Sequence, residues 1–160
     1  MTPAINILTI SKWVMALAAR ARWPAARIVG VELRDVTPAP EYDEWLTGDF
    51  HTIAPTLDHF DLVMGNPPYA HAEAFIRAGL QLLTDGGELL FFLRLAFSEG
   101  QRRARGLYRE FPLAELSVCD RRPRFYGSQG SMTAFAFFRW QHGFTGETRL
   151  TTAVVPSGNP

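Results

Sequence analysis

The chain has 160 residues, 16 basic and 16 acidic side chains and a formal net charge of zero, so no overall field draws it to a polyanion. That length fits one domain, and 47% apolar residues can supply its core. A lone Cys119 rules out a disulfide framework or a cysteine metal site within the chain and fits a reducing cytoplasm, and no apolar run reaches the ~18 residues of a membrane span. Ile5–Ala19 has the look of a signal-peptide core, but its only charge, Lys12, falls inside the apolar stretch, and a signal peptide is not expected.

In chain order, the apolar run from Ile5 to Ile10 reads as a strand. Ser11–Arg22 reads as a helix, with Trp13, Ala16, Leu17 and Arg20 at helical spacing, stopped by Trp23-Pro24. Arg27–Leu33 is a β-branched strand carrying Glu32 near its end. Pro38, Pro40 and Glu41–Leu46 suggest a loop and a short helix, followed by a brief strand or strand end at Thr47-Gly48-Asp49-Phe50. Phe60–Gly65 is a buried strand closed by two prolines. An amphipathic helix spans His71–Leu83, with Ala72, Phe75, Ile76, Leu80 and Leu83 on one face and Asp85-Gly86-Gly87 as its stop. Glu88–Leu95 is a strongly apolar strand. Ser98 with Gln101 resembles a capping box opening a helix toward Phe111. Leu113–Cys119 and Met132–Trp140 are the last two strands, joined by the loop Arg121–Ser131.

Strands alternating with helices imply a mostly parallel, seven-stranded sheet covered on both faces, and the last two strands, with no helix between them, imply an antiparallel hairpin. One α/β domain over residues 1–150 with a tail over 151–160 is expected. Ligands in such sheets sit at the carboxyl ends of strands. Three successive ends here carry Glu32, Asp49 and Asn66.

Asn66-Pro67-Pro68-Tyr69 is the most specific signal. The exocyclic amine of adenine is a poor nucleophile because its lone pair is delocalised into the ring. The Asn66 side-chain oxygen and the Pro67 carbonyl, aimed at its two protons, would favour the tetrahedral nitrogen that attack requires. Consecutive prolines stiffen the loop so the acceptors need not reorganise. Tyr69 offers an aromatic face to an extruded base. A rigid strand-to-helix turn with Asn as a cap would also use these residues, but the apolar strand ahead of them favours the chemical reading.

In these residues the sequence resembles the amino-methyltransferases that use S-adenosylmethionine (AdoMet) and carry an Asn-Pro-Pro-Tyr motif, most nearly the compact phage-type DNA adenine-N6 methyltransferases. The resemblance runs from about Arg27 to Trp140, through Gly65-Asn66-Pro67-Pro68-Tyr69, Phe75-Ile76-Arg77, Gly86-Gly87, Leu93-Arg94-Leu95 and Arg122-Pro123-Arg124-Phe125. It implies a Rossmann-like class I methyltransferase fold and methyl transfer from AdoMet to adenine N6 in DNA. A carboxylate placed as Glu32 is can accept both ribose hydroxyls, the role the family implies. The resemblance also implies that Asp49 accepts from the AdoMet adenine amine, that Phe50 packs on that adenine and that Asn66 borders the cofactor. For Asp49 taken alone, a turn residue is an equal reading. Phe125, with Tyr69, would sandwich the target base, or would fold onto the core. Arg121, Arg122 and Arg124 would meet DNA phosphates. Arg102, Arg105 and Arg109 share a helix face, read first as solvated. His51, His59, His71 and His142 lack metal-ligand spacing, and no metal is expected.

The family's glycine-rich loop after the first strand departs here: Leu8-Thr9-Ile10-Ser11-Lys12-Trp13 holds no glycine and no acid, so weak cofactor binding or none is expected. The charges are also segregated. Val31–Asp61 carries eight acids against Arg34, while Arg94–Arg124 carries eight arginines against four acids, which suggests two different ligands. The same motif serves methyltransferases acting on ribosomal RNA bases or on glutamine side chains, and a non-catalytic nucleic-acid binder or a structural remnant on this fold are the remaining alternatives.

Overall fold

Apolar, β-branched runs long enough for a strand and too short for a stable helix build the centre of the molecule. The computed structural model describes residues 5–10, 14–122 and 133–154. Its strands are β1 (Asn6–Ile10), β2 (Arg27–Glu32), β3 (Glu44–Thr47), β4 (Phe60–Gly65), β5 (Leu83–Arg94), β6 (Glu115–Cys119), β7 (Phe135–Gln141) and β8 (Arg149–Ala153), and its helices are α1 (Val14–Arg22), α2 (Phe50–Ile53), α3 (Ala72–Gln81), α4 (Gln101–Arg105) and α5 (Leu107–Glu110). The strands form one sheet in the order β3-β2-β1-β4-β5-β7-β6-β8. The β1–β2, β1–β4, β2–β3, β4–β5 and β6–β8 pairs are parallel, whereas β7 is antiparallel to both β5 and β6.

Successive side chains on a strand face opposite sides of the sheet, and this alternation makes two cores. Leu8, Ile10, Val29, Val31 and Val63 face one layer with Phe50, Ile76, Leu80 and Leu107. Ile7, Ile28, Leu62 and Met64 face the other with Ala16 and Ala19 of α1 and Ala26. Strands sandwiched this way read as unbroken apolar runs, which is why β1, β2 and β4 are plain in the sequence.

The structure corrects several expectations. Among the described residues the sheet has eight strands rather than seven. Glu41–Leu46 is not a helix: Glu44–Thr47 pairs with Val29–Glu32 as an edge strand, because Trp45 and Tyr42 pack where Gly30 has no side chain, and a Cβ there would stand 2.5 Å from the Trp45 ring. Asp85-Gly86-Gly87 lies within β5 rather than closing α3, in an irregularity where the register passes from Phe60↔Leu83 to Leu62↔Glu88. The Ser98 hydroxyl donates to the Leu95 carbonyl and caps nothing; α4 opens at Gly100, with φ +118°, and the run toward Phe111 breaks into two short helices at Gly106. The last strand, β8, pairs with β6 over Glu115↔Arg149 to Cys119↔Ala153.

An ion cluster fastens that edge strand. Glu115, with 15% of its side chain exposed, accepts from Arg149 at 2.6 Å, Arg139 at 3.1 Å and the Thr151 hydroxyl at 2.8 Å. Arg139 also bridges to Glu88 on β5. The Arg149 hydrogen bond, followed by Thr151 and Arg139, holds the Glu115 carboxyl below its ordinary 4.5 against the opposing effect of burial. A carboxyl lowered in the folded state stabilises fully above its unfolded value, and that contribution is lost as pH falls through the folded value. Glu115→Gln is therefore expected to cost about 1–2 kcal/mol at pH 7 and to flatten the loss of stability below pH 4.5. Urea unfolding at pH 7 and pH 3.5 checks this; an unchanged acid dependence in the variant would rule out Glu115 as its source.

Candidate active site

The end of β1 sets the geometry. Ile10 pairs with Val31 on one side and Gly65 on the other, so the next residues along those partners, Glu32 and Asn66, flank the same strand end, two strand spacings or about 10 Å apart. Gly65 makes the approach possible. A Cβ there would stand 2.7 Å from the Ile10 carbonyl oxygen and 3.0 Å from the Ile10 Cβ, with backbone rather than a yielding side chain in the way. The Asn66 N–H then donates to the Ile10 carbonyl at 3.3 Å, pinning the motif to β1.

Beyond Asn66 the chain turns through buried Pro67 and exposed Pro68, whose carbonyl accepts from the His71 N–H at 2.9 Å, into a single 3-10 turn at Tyr69–His71. The Asn66 side chain lies beside the Tyr69 hydroxyl. The Asn66 Oδ1 is buried and has no hydrogen-bond partner. A buried acceptor left without a donor costs about 1–3 kcal/mol. Burial raises the Tyr69 phenol, with the Asn66 hydrogen bond and the Arg94 charge pulling more weakly the other way, so the hydroxyl stays protonated at neutral pH.

These residues border a cleft of about 700 Å³ that includes Ile10, Met15, Val31, Glu32, Asp49, Phe50, Asn66, Pro67, Tyr69 and Phe75. Glu32, Asp49, Phe50, Asn66, Pro67 and Tyr69 thus line one cleft. The Glu32 carboxylate has 11% of its side chain exposed and accepts from the Arg34 backbone N–H and Nε–H, both at 3.2 Å. Burial pushes its pKa up, but the Arg34 contacts and charge outweigh this and leave it lowered and ionised. Asp49 caps α2, its Oδ1 accepting from the His51 and Thr52 N–H groups at 2.7 and 3.3 Å. The turn reading of Asp49 is realised on the same carboxylate that borders the cleft. Phe50 is 4% exposed and stacks on Phe75, with centroids 5.3 Å apart and planes 9° apart, while His51 meets the Phe75 ring at 4.6 Å.

Three residues here escape the sequence reading. Phe75 falls on the apolar face of α3 and reads as core, which it partly is. Arg34 shows only as the single base in an acidic stretch. Arg94, the last residue of β5, lies over the Tyr69 ring at 4.8 Å, and Phe135 meets the same ring at 5.9 Å. Because β6 runs parallel to β8 and antiparallel to β7, and β7 antiparallel to β5, its end at Cys119 lies on the same edge of the sheet as Arg94. Arg121 and Arg122 follow it, exposed, with Arg121 3.6 Å from Asp120. Arg124 and Phe125 lie outside the described residues. Arg102 bridges to Glu73 at 3.0 Å.

No family model matches the sequence, and no curated protein matches it either. Solved structures share the fold. A chain of a type I R-M system aligns with a TM-score of 0.69 at 13% identity, over 98% of this chain and 42% of that one. A predicted O-methyltransferase from Agrobacterium tumefaciens aligns at 0.61 and 21% identity, over 96% and 80%. The O-methyltransferase TomG from Streptomyces achromogenes, in complex with SAM, aligns at 0.57 and 16% identity, over 88% and 74%. At these identities the likeness is one of fold: a Rossmann-like α/β sheet of the class I methyltransferase type, mostly parallel with an antiparallel hairpin at its far side.

The tight approach at Gly65 yields an expected outcome. Gly65→Ala should destabilise the protein by about 2–3 kcal/mol, because the backbone of β1 must give way. A variant with the wild-type urea midpoint would show that β1 does not press on this position.

Proposed function

We propose that this chain transfers the methyl group of AdoMet to the N6 amino group of adenine in DNA. The observation that carries this is the buried, unpartnered Asn66 Oδ1 at the carboxyl end of β4. An acceptor held there, with its backbone pinned to Ile10, suits an N–H donor from a substrate. The other acceptor in the proposal is the Pro67 carbonyl. With a proton of the amine on each, the nitrogen lone pair is drawn out of the ring plane toward the methyl group.

The residues fit the nucleoside half of AdoMet. The cleft is of ligand size, Glu32 stands ionised where ribose hydroxyls would donate, and Phe50 with Phe75 walls the side where an adenine ring would pack. Asp49 at the head of α2 would take the adenine amine. No glycine stands between Ile10 and Val14, where bare backbone would admit the amino-acid end, so we expect weak cofactor affinity. When bound, AdoMet supplies an electrophilic methyl on a sulfonium. Attack by the amine nitrogen on that methyl would return the C–S pair to sulfur as a thioether, and the amine would shed a proton to solvent.

The charge pattern favours a polyanion over a glutamine side chain. Glu32, Asp49 and their acidic neighbours lie on the β2–β3 side, and Arg94, Arg121 and Arg122 on the β5–β6 side.

Methyl transfer from tritiated AdoMet to unmethylated DNA tests the reading, with RNA and a glutamine peptide as parallel acceptors. Incorporation into RNA or peptide and not DNA would overturn the substrate. Asn66→Ala should lower kcat at least about 10²-fold, with no loss of stability because it removes an orphaned acceptor. Activity at the wild-type level in that variant would sink its catalytic role. Glu32→Ala should weaken AdoMet binding about tenfold or more by calorimetry, in line with losing hydrogen bonds to an ionised acceptor; an unchanged dissociation constant would reject the ribose role.

A further inference from the structure

We propose that Arg94 anchors the target strand: its guanidinium rests on the Tyr69 ring and passes to the backbone phosphate beside the target base when that base takes its place on the ring. The inference rests on the adenine reading above and adds the residue that commits the site to a nucleotide.

Arg94 closes β5 and pairs with Phe135, three residues past the Phe91 that pairs with Gly65. It therefore stands at the same sheet edge as Asn66, one strand over. It is exposed, and among the described residues no carboxylate contacts it, unlike Arg77, Arg102 and Arg139. Its contact is the Tyr69 ring, 4.8 Å from the guanidinium carbon. Tyr69 lines the cleft and Arg94 does not.

A ring has two faces, and this planar cation covers one of them. A base can stack there only if the guanidinium leaves. An exposed cation–π contact is weak, whereas a phosphate offers the guanidinium two parallel, charge-assisted hydrogen bonds. The exchange therefore runs toward the phosphate, and only a substrate that brings both a planar base and an adjacent phosphate drives it. A glutamine side chain brings neither. Arg121 and Arg122, at the same edge, extend the positive rim along which a strand would lie.

The test uses the full chain with Arg94→Gln and Arg94→Lys and an adenine-containing DNA duplex as probe. Both variants should bind AdoMet as the wild type does. The slope of log affinity against log salt should fall by about 0.9 in Arg94→Gln, the release of one counterion, and stay near the wild-type value in Arg94→Lys. KM for the duplex should rise about tenfold in Arg94→Gln, with a smaller change in kcat. A wild-type protein that binds and methylates the duplex, with Arg94→Gln matching its slope and KM, would overturn the anchor alone. A wild-type protein that neither binds nor methylates the duplex would overturn the adenine reading and the anchor together.

Discussion

The register of β1 between β2 and β4 is the constraint on which the site depends. Each parallel pairing fixes one neighbour: Ile10↔Val31 places Glu32, and Ile10↔Gly65 places Asn66. A slip of one residue on either side would turn the affected side chains to the opposite face and move a site residue off the strand end. Burial on both sides forbids the slip, because Leu8 and Ile10 fill one core while Ile7 fills the other. The absent side chain at Gly65 then lets the Asn66 loop close on Ile10.

From that frame the chemistry divides by side. The β2–β3 side presents ionised Glu32, the Asp49 cap and the Phe50–Phe75 stack around an apolar cleft. The β4–β5 side presents a buried acceptor, a phenol that keeps its proton, and an arginine. Zero net charge hides this division, which becomes visible only when the two halves of the sequence are counted separately. The far side of the sheet is secured differently, by Glu115 gathering Arg139, Arg149 and Thr151 across three strands.

Much of this was legible in the chain itself. The apolar runs of β1, β2 and β4 announce buried parallel strands, and the diproline after Asn66 marks where one must end. What the sequence concealed follows from tertiary context. Glu44–Thr47 has no strand pattern of its own and extends because β2 offers a ladder and Gly30 a seat for Trp45. Arg149–Ala153 is polar and alternates weakly, so only its pairing with β6 and the Glu115 cluster makes it a strand. Asp49 illustrates a residue that serves two readings at once, as helix cap and as part of the cleft wall. Phe75 and Arg94 were invisible as site residues because helical and strand periodicity report which face is apolar, not which ring or cation meets a neighbour.

The central claim is that the Asn66 side-chain oxygen awaits the amino group of a base. A crystal structure of the protein with S-adenosylhomocysteine and an adenine-bearing DNA duplex tests it most directly. The account predicts the adenine N6 within about 3.2 Å of Asn66 Oδ1, in hydrogen-bonding geometry. An Asn66 Oδ1 bonded to its own chain, with the base seated elsewhere, would contradict it.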